Sequence, residues 1–403
     1  MNLLNSFTDI IAPIKLEKFI TEYWNPKKHL LIRGEREKFI HLLTWQTINE
    51  MILGREHDTS GRLRLVKNGK DIPISAVTIL EARRFRTKKL PRLKRTLLSD
   101  CLRGGAVLIL NRVDDIHEPV RQLAEMIEYM LHERAYINMY AGWPSSKGFN
   151  LHWDDHDVIV LQIHGKKRWT ISGFSKEAPL YKEAENIRAP EGKPLWSGVI
   201  HAGDLLYVPR GCWHGAEALD SPTVHLTCGL YNQTGHDMLS WLQSKLVTTE
   251  VFCRELPRFS SETAQQQHTQ KLKQALEALW NDRLLQTFFV ENDMMAQPHE
   301  RLAFPFGVSS TEETQIKEET IILMRNPRPI QIKSDSANGE VVFCALGKQW
   351  RFHANALTLL SFLDKKRKCS FGDFRKAVHP TVNDDTLKAF VRELFREGMV
   401  FLQ

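Results

Sequence analysis

The sequence lacks several features that would assign a protein to a class at once. No run of about 18 or more apolar residues occurs, so no membrane span is expected. The six cysteines are scattered among 403 residues without a CxxC pair, which argues against a structural zinc site and against a disulfide framework. No basic region leads into a long apolar stretch at the N-terminus, so no signal peptide is predicted. Together these absences favour the reducing cytoplasm as the location.

The composition is that of an ordinary globular protein, with 42% apolar and 26% charged residues, and the length predicts two or three domains. The net charge of +7 is unevenly distributed. Residues 82–95, ARRFRTKKLPRLKR, carry eight basic residues and no acidic one, and residues 343–403 carry eleven Lys and Arg against six Asp and Glu. Such runs are typical of solvated faces, but contact with an acidic partner such as RNA also stays open.

The distribution of apolar residues divides the chain into three predicted domains, at residues 1–235, 236–305 and 306–403. In the first, GAVLIL, AYINMY, DVIVLQI, KRWTIS, DLLYVP and TVHLTCGLY are typical of short strands, and PVRQLAEMIEYML is typical of a helix. Several short strands at this spacing predict an antiparallel sandwich or barrel. The second domain reads as helices alone. The third combines short strands, three short helices and a final strand, which indicates a winged-helix-like unit.

Potential metal ligands are concentrated at residues 151–169, LHWDDHDVIVLQIHGKKRW. Because side chains alternate along a strand, His152 and Asp154 are predicted to point the same way at the start of a buried strand. GDLLYVPRGCWH then supplies His214 after a second strand and a turn. Two histidines and a carboxylate are the facial ligand set of non-haem iron(II) oxygenases, so these three residues form a candidate iron site.

Alternation alone leaves one competitor open, because His156 has the same parity as His152 and Asp154. Asp155 and Asp157 have the opposite parity and are poorer candidates. Structural or surface roles are expected for the remaining histidines of this region, which are His164, His201 and His225.

A cation follows the histidine cluster. HGKKRW is predicted to be a hairpin turn that returns the chain beside the metal-binding strand. Lys167 on that returning strand is then placed to point inward and hold a carboxylate by charge-assisted hydrogen bonds. A lysine buried there without an anion would be costly, so a carboxylate-bearing cosubstrate is predicted.

The sequence resembles the cupin-type JmjC oxygenases of the ribosomal oxygenase branch. The matching segments are FITEYWNPKKHLLIRG, INMYAGWPSSKGFNLHWDDHDVIVLQIHGKKRW, AGDLLYVPRGCWHGAEAL and VHLTCGLYN. A helical segment and a winged-helix-like tail follow in the order of that family, so the resemblance covers most of the chain. It implies an α+β chain: a double-stranded β-helix of the jelly-roll, cupin and JmjC type, then a helical dimerisation segment and a C-terminal winged-helix domain.

The resemblance also implies residue roles. The family pattern makes His152, Asp154 and His214 the ligands of Fe(II), and it puts Lys167 on the distal carboxylate of 2-oxoglutarate. Further positions near that cosubstrate are matched by Asn138, Tyr140 and Thr227. The implied reaction uses O2 and 2-oxoglutarate to hydroxylate a protein or peptide side chain, with a ribosomal protein as the family's usual substrate and a homodimer as its usual assembly.

Two alternatives stay open from the sequence alone. The substrate could be a ribosomally synthesised precursor peptide, with the winged-helix-like tail holding its leader. From a different class, the chain could be a non-catalytic cupin-like binding protein or a nucleic-acid-binding regulator, which the basic run at residues 82–95 favours. An intact ligand set with an inward lysine argues for the enzyme, because a pure binding protein has little use for either.

Overall fold

The computed structural model describes residues 6–53, 61–81, 90–144, 146–180, 187–219, 222–302, 315–331, 333–335, 339–378 and 382–403. The chain divides into two compact units, residues 1–232 and 233–403. Across the described ranges, no helix has the length and apolar character needed to cross a membrane. All six cysteines are unpaired thiols. Most of the basic run, residues 82–89, lies outside the described residues.

The first unit is built mainly from antiparallel strands. They are β1 Leu30–Ile32, β2 Leu63–Lys67, β3 Lys70–Ile72, β4 Thr78–Glu81, β5 Leu90–Leu93, β6 Val107–Leu110, β7 Arg134–Gly142, β8 Asp157–His164, β9 Lys166–Gly173, β10 Trp196–His201, β11 Leu205–Val208, β12 Trp213–Ala218 and β13 Thr223–Tyr231. One sheet has the order β1-β11-β8-β13-β7-β6-β2-β3, a second has the order β10-β9-β12, and β4 pairs with β5.

Two apolar cores lie on opposite faces of the large sheet. Val158 and Val160 of β8 pack with Trp169 and Ile171 of β9 between the two sheets. Ile159 and its alternate neighbours pack on the other face, in a core shared with the helices. A strand buried on both faces needs apolar residues at every position, which explains the unbroken run VIVLQI. The predicted antiparallel sandwich is confirmed.

Within its described residues, the first unit has five α-helices, and these cover the outer face of its large sheet. They are α1 Phe7–Ile11, α2 Leu16–Phe19, α3 Trp45–Leu53, α4 Arg95–Arg103 and α5 Glu118–Leu131. The predicted helix PVRQLAEMIEYML corresponds to α5, in which Val120, Leu123, Ala124 and Ile127 are buried at helical spacing.

The predicted hairpin at HGKKRW is wrong. Gly165 does form a tight turn with a positive φ of 67°, but β8 and β9 belong to different sheets. The reason is that β8 is already paired with β11 on one edge and β13 on the other, so no edge is left for β9. Strand β9 instead crosses to the second sheet and pairs with β10 and β12, two strands that the sequence pattern did not indicate.

The second unit contains seven helices and six strands within its described residues. The helices are α6 Gly235–Leu246, α7 Glu250–Cys253, α8 Glu262–Leu279, α9 Leu284–Met295, α10 Ala356–Lys366, α11 Phe371–Val378 and α12 Asp384–Arg396. The strands are β14 Ile321–Met324, β15 Lys333–Asp335, β16 Glu340–Ala345, β17 Lys348–His353, β18 Lys368–Ser370 and β19 Val400–Leu402. Two three-stranded sheets result, with the orders β18-β14-β19 and β15-β16-β17.

This unit has two separate apolar cores. A small one joins α6 and α9 through Met238, Leu242, Leu284 and Phe288. A larger one is formed by both sheets with α10, α11 and α12. The two cores follow the predicted change from a helical segment to a mixed terminal segment.

Candidate metal centre

His152 and His214 face each other across an isolated antiparallel bridge. The backbone N–H of His152 donates to the carbonyl of His214 at 3.0 Å, and the N–H of His214 donates to the carbonyl of His152 at 2.7 Å. Residues opposed in this way place their side chains on one face, and the two ring centroids lie 4.4 Å apart. A register shift between Trp213 and His214 marks a bulge at this point, a feature that often re-aims side chains at functional sites.

Asp154 completes a three-residue cluster with these histidines. Its carboxylate oxygens lie 3.9 Å from Nε2 of His152 and 3.4 Å from Nε2 of His214. One ligand atom from each of the three residues falls within 4.8 Å of the others. Burial would raise the pKa of Asp154, but the hydrogen bond and charge of His214, with the charge of His152, hold that pKa well below its usual value. The carboxylate is therefore ionised, as a metal ligand must be.

Both imidazoles are held in the orientation that a metal ligand needs. Nδ1 of His152 donates to the carbonyl of Asn150 at 2.8 Å, and Nδ1 of His214 donates to the carbonyl of Cys212 at 2.9 Å. Because a carbonyl only accepts, Nδ1 of each ring keeps its proton, and Nε2 is the nitrogen that binds a metal once the metal has displaced the proton there. The donor set and its orientation fit a non-haem iron(II) ion.

The segment carrying His152 and Asp154 is not the start of a strand, as alternation assumed, because β8 begins only at Asp157. Long-range contacts hold the segment instead. They are the bridge between His152 and His214 and a hydrogen bond of 2.8 Å from the N–H of Gly211 to the carbonyl of Asp154.

The other histidines of the region have different surroundings. Nδ1 of His156 lies 3.0 Å from the Asp155 carboxylate, and its ring packs 5.0 Å from that of Tyr231. Nε2 of His164 lies 3.2 Å from a backbone carbonyl, and His201 is exposed at the end of β10. None of the three belongs to the cluster formed by His152, Asp154 and His214.

Asp157 joins the two segments that carry the candidate ligands. Its fully buried carboxylate accepts from the Lys27 ammonium at 2.6 Å, from the Tyr207 hydroxyl at 3.1 Å and from the N–H of Arg210 at 2.6 Å. Arg210 lies in the turn that leads to His214, while Asp157 itself follows the HWD segment. The carboxylate therefore fixes the separation of the two segments.

Replacing Asp157 by Ala is expected to lower the free energy of unfolding by about 2–4 kcal/mol, because the buried hydroxyl of Tyr207 and N–H of Arg210 each lose a partner worth roughly 1–3 kcal/mol. Calorimetric or chemical unfolding measures this. Asp155→Ala is the matched control, since its carboxylate is partly exposed and bonds only its neighbour among the described side chains. Equal stability of the two variants would contradict the role of the Asp157 carboxylate in joining the two segments.

A pocket opens beside the cluster, and all three candidate ligands contribute to its lining. Lys167 also lines it and is only 5% exposed, whereas the next residue, Arg168, is exposed. Burial lowers the pKa of Lys167 to about 7. No described residue forms a hydrogen bond or ion pair with its ammonium group. A buried cation in this situation favours an anionic ligand.

Of the three further residues matched from the family pattern, two line the same pocket, namely Tyr140 and Thr227. Burial, with the charge of Asp154, raises the pKa of Tyr140 to about 12, so its hydroxyl stays protonated and can donate. Asn138 is not among the lining residues. Its side-chain oxygen accepts from the N–H of Arg112 at 2.9 Å, and its side chain also hydrogen-bonds that of Tyr140.

Among the lining residues that were not proposed as functional from the sequence, His225 and Trp169 are the two that carry ring nitrogens. The sequence pattern assigned His225 a structural or surface role, but its ring lies in the pocket wall. Its position two residues before Thr227 on β13 was an available signal, because residues i and i+2 share a strand face.

Known proteins are similar to the part of the chain that carries this site. Residues 111–238 match the JmjC domain model. A protein of Drosophila pseudoobscura pseudoobscura described as bifunctional lysine-specific demethylase and histidyl-hydroxylase NO66 is 27% identical over 257 residues, which are 61% of this chain and 25% of that protein. Ribosomal oxygenase 1 of Gallus gallus is 28% identical over 231 residues, which are 56% of this chain and 37% of that protein.

Among solved structures, YcfD, a ribosomal oxygenase from Escherichia coli in complex with cobalt and 2-oxoglutarate, aligns with a TM-score of 0.61 at 16% identity. The alignment covers 97% of this chain and 99% of YcfD, so the two share a fold over nearly their whole length. Residues 111–238 therefore match a JmjC domain, and the chain has the fold of YcfD, a cupin-type β-sandwich with mixed α+β content. Its relatives are the ribosomal oxygenases and the NO66 proteins, and the matched regions are only a quarter to just over a third of the curated relatives' length.

Proposed function

We propose that this protein is an Fe(II)- and 2-oxoglutarate-dependent oxygenase that hydroxylates a side chain of a protein or peptide. The observation that carries the proposal is the joint presence, in one pocket, of the cluster His152, Asp154 and His214 and of a buried lysine that no described residue pairs. The first is a site for iron(II), and the second is a site for an anionic cosubstrate. The relatives named as histidyl-hydroxylase and ribosomal oxygenase support the same reaction.

In this proposal His152, Asp154 and His214 hold Fe(II), and Lys167 holds the distal carboxylate of 2-oxoglutarate. Bound Fe(II) and 2-oxoglutarate supply the oxidising chemistry, in which O2 is consumed, 2-oxoglutarate is converted to succinate and CO2, and one oxygen atom enters a C–H bond of the substrate. The hydroxyls of Tyr140 and Thr227 lie in the same wall and can donate to the cosubstrate.

The apolar part of the lining keeps water away from the reacting atoms. Val107, Val158 and Trp169 are nearly or fully buried and form this part with Ala216. A dry wall strengthens the attraction between Lys167 and a carboxylate, and it protects a reactive centre from side reactions.

The names of the relatives support one substrate class, which can be tested directly. We propose a ribosomal protein, because a chicken relative and the Escherichia coli neighbour are both named ribosomal oxygenases. Peptides from ribosomal proteins, incubated with the enzyme, Fe(II), ascorbate and 2-oxoglutarate, should gain the mass of one oxygen atom on a single side chain. The Asp154→Ala protein serves as the negative control. Hydroxylation of a precursor peptide but of no ribosomal peptide would replace this substrate, and 2-oxoglutarate binding without turnover on any peptide would favour a binding protein.

We further propose a division of the second unit into a helical dimerisation domain, residues 236–305, and a winged-helix-like domain, residues 306–403. The sequence of elements supports the latter, since α10, β18, α11, α12 and β19 follow one another along the chain and the strands join β14 in a small antiparallel sheet, β18-β14-β19. The unpaired cysteine thiols support a cytoplasmic location.

The apolar residues of the helical domain support a homodimer. Helix α8 has 18 residues, none of them fully buried: Leu272, Leu276 and Leu279 lie on one face, of which Leu276 and Leu279 pack against the small core but stay partly exposed. On α9, Leu284 and Phe288 enter the small core, whereas Leu285 is 56% exposed. So much uncovered apolar surface is typical of an interface, and a two-fold dimer is the commonest solution.

Light scattering of the full chain at micromolar concentration is expected to give the mass of a dimer. Leu285→Glu should shift that mass towards the monomer, because it puts a charge on the exposed apolar face without entering the small core. Leu80→Glu is the matched control, since Leu80 is 68% exposed in the first unit. Leu276 is not the residue to replace, because it packs against the small core and its substitution could unfold the domain. A monomer mass for the unsubstituted chain would reject the dimer.

A further inference from the structure

His225 occupies an unusual place for a polar residue. It is 3% exposed on β13, directly opposite Tyr140 of β7, and lines the same pocket as Lys167 and Thr227. The pocket lies beside the cluster of candidate metal ligands, but His225 is not part of that cluster.

The imidazole of His225 is held in one plane by two aromatic rings. The ring of Tyr140 stacks on its face, with centroids 5.0 Å apart and an interplanar angle of 9°. The indole of Trp169 meets it edge-on, with centroids 5.7 Å apart and an angle of 82°. Such packing fixes the directions of both ring nitrogens before any ligand arrives.

The polar atoms of this ring have no hydrogen-bond partner among the described residues, and Nδ1 is completely buried. A buried polar atom left in this state is destabilising, so a native structure that keeps one usually pairs it with a ligand or water. Burial and the nearby charge of Lys167 hold the pKa of His225 well below its usual value. The neutral ring offers one N–H donor and one acceptor.

We propose that His225 is a positioning residue that donates an N–H hydrogen bond to the same distal carboxylate of 2-oxoglutarate that Lys167 binds. The inference rests on the proposed function, because it requires that this cosubstrate occupies the pocket. One carboxylate between the two side chains satisfies both the buried cation and the buried N–H. The stacked ring of Tyr140 and the edge of Trp169 then set the direction from which that carboxylate is held.

The test measures binding, so it does not depend on turnover. Calorimetric titration of 2-oxoglutarate into the full-length, Mn(II)-loaded protein compares the native chain with His225→Phe, which keeps a flat ring between Tyr140 and Trp169 but removes the N–H. We expect the dissociation constant to rise at least about tenfold, as for loss of a hydrogen bond to a charged group, while Mn(II) affinity is unchanged. His225→Asn, which restores an N–H donor, should recover part of the loss. His201→Phe, an exposed histidine outside the pocket, should bind as the native chain does.

A second probe locates the interaction on the cosubstrate. 2-Oxobutyrate has the 2-oxo acid group but no distal carboxylate, so His225→Phe should leave its affinity unchanged. Equal affinity of the native chain and His225→Phe for 2-oxoglutarate, or an equal loss for both ligands, would overturn the role of His225. Failure of the native Mn(II)-loaded chain to bind 2-oxoglutarate at all would instead overturn the proposed function.

Discussion

Replacing Asp154 by Ala is expected to abolish 2-oxoglutarate turnover and to leave the fold intact. Asp154 supplies the single carboxylate of the candidate iron site, so its loss leaves only two imidazoles to hold the ion. Its side chain takes no part in the apolar cores, and the hydrogen bond that holds the segment uses its backbone carbonyl. Succinate formation measures turnover, and the circular dichroism spectrum and thermal midpoint report the fold.

His156→Ala is the matched control, because this neighbouring histidine has the same sequence parity but packs against Tyr231. It should retain turnover, whereas His152→Ala and His214→Ala should lose it. Turnover that disappears in His156→Ala and survives in His152→Ala would show that the wrong ligands have been assigned.

Replacing Lys167 by Ala is expected to raise the Michaelis constant for 2-oxoglutarate roughly ten- to a hundredfold, since a hydrogen bond to a charged group in a buried site is worth roughly 1.5–3 kcal/mol. Initial rates of succinate formation at varied cosubstrate measure the effect. Arg168→Ala is the matched control, because that side chain on the same strand is exposed. An unchanged constant in Lys167→Ala would remove this residue from the cosubstrate site.

The pH dependence of 2-oxoglutarate binding is a second test of the role of Lys167. Burial lowers the pKa of Lys167 to about 7 in the pocket without ligand, so the ammonium form is present below that pH and is lost as pH rises. A carboxylate binds the ammonium form, and the dissociation constant of 2-oxoglutarate should therefore increase above neutral pH, approaching about tenfold per pH unit. Lys167→Met should bind weakly and should lack this slope.

Local patterns predicted the elements whose own residues determine their conformation. TVHLTCGLY, rich in β-branched residues and broken by no proline, is β13 Thr223–Tyr231, and the helical spacing of PVRQLAEMIEYML is that of α5. The run VIVLQI was recognisable as a buried strand because both of its faces are covered. The three short helices of the C-terminal segment followed from the same periodicity.

Features that depend on distant parts of the chain could not be read in this way. WHGAEA has weak strand propensity and forms β12 only because β9 pairs along it. The bridge between His152 and His214 is a tertiary contact, so the candidate ligands are brought together by long-range contacts and not by the strand alternation from which His152 and Asp154 were predicted. The prediction of a hairpin at Gly165 was wrong because both edges of β8 are paired with other strands, which can be seen only from the sheet order.

The structural role of Asp157 was also invisible to the sequence pattern. Strand alternation predicted that its side chain points away from the candidate ligands. Its three partners lie far along the chain: Lys27 in the N-terminal segment, Tyr207 on β11 and Arg210 in the turn after β11. His225 could have been found from its spacing to Thr227. That its ring has no hydrogen-bond partner among the described residues could be recognised only from the three-dimensional structure.

The most direct test of the account is a crystal structure of the protein grown anaerobically with Mn(II) and 2-oxoglutarate, with anomalous diffraction to locate the metal. We expect one metal peak bound by Nε2 of His152, by a carboxylate oxygen of Asp154 and by Nε2 of His214, with the distal carboxylate of 2-oxoglutarate on Lys167. A metal bound elsewhere, or a pocket that holds neither ligand at saturating concentration, would contradict it.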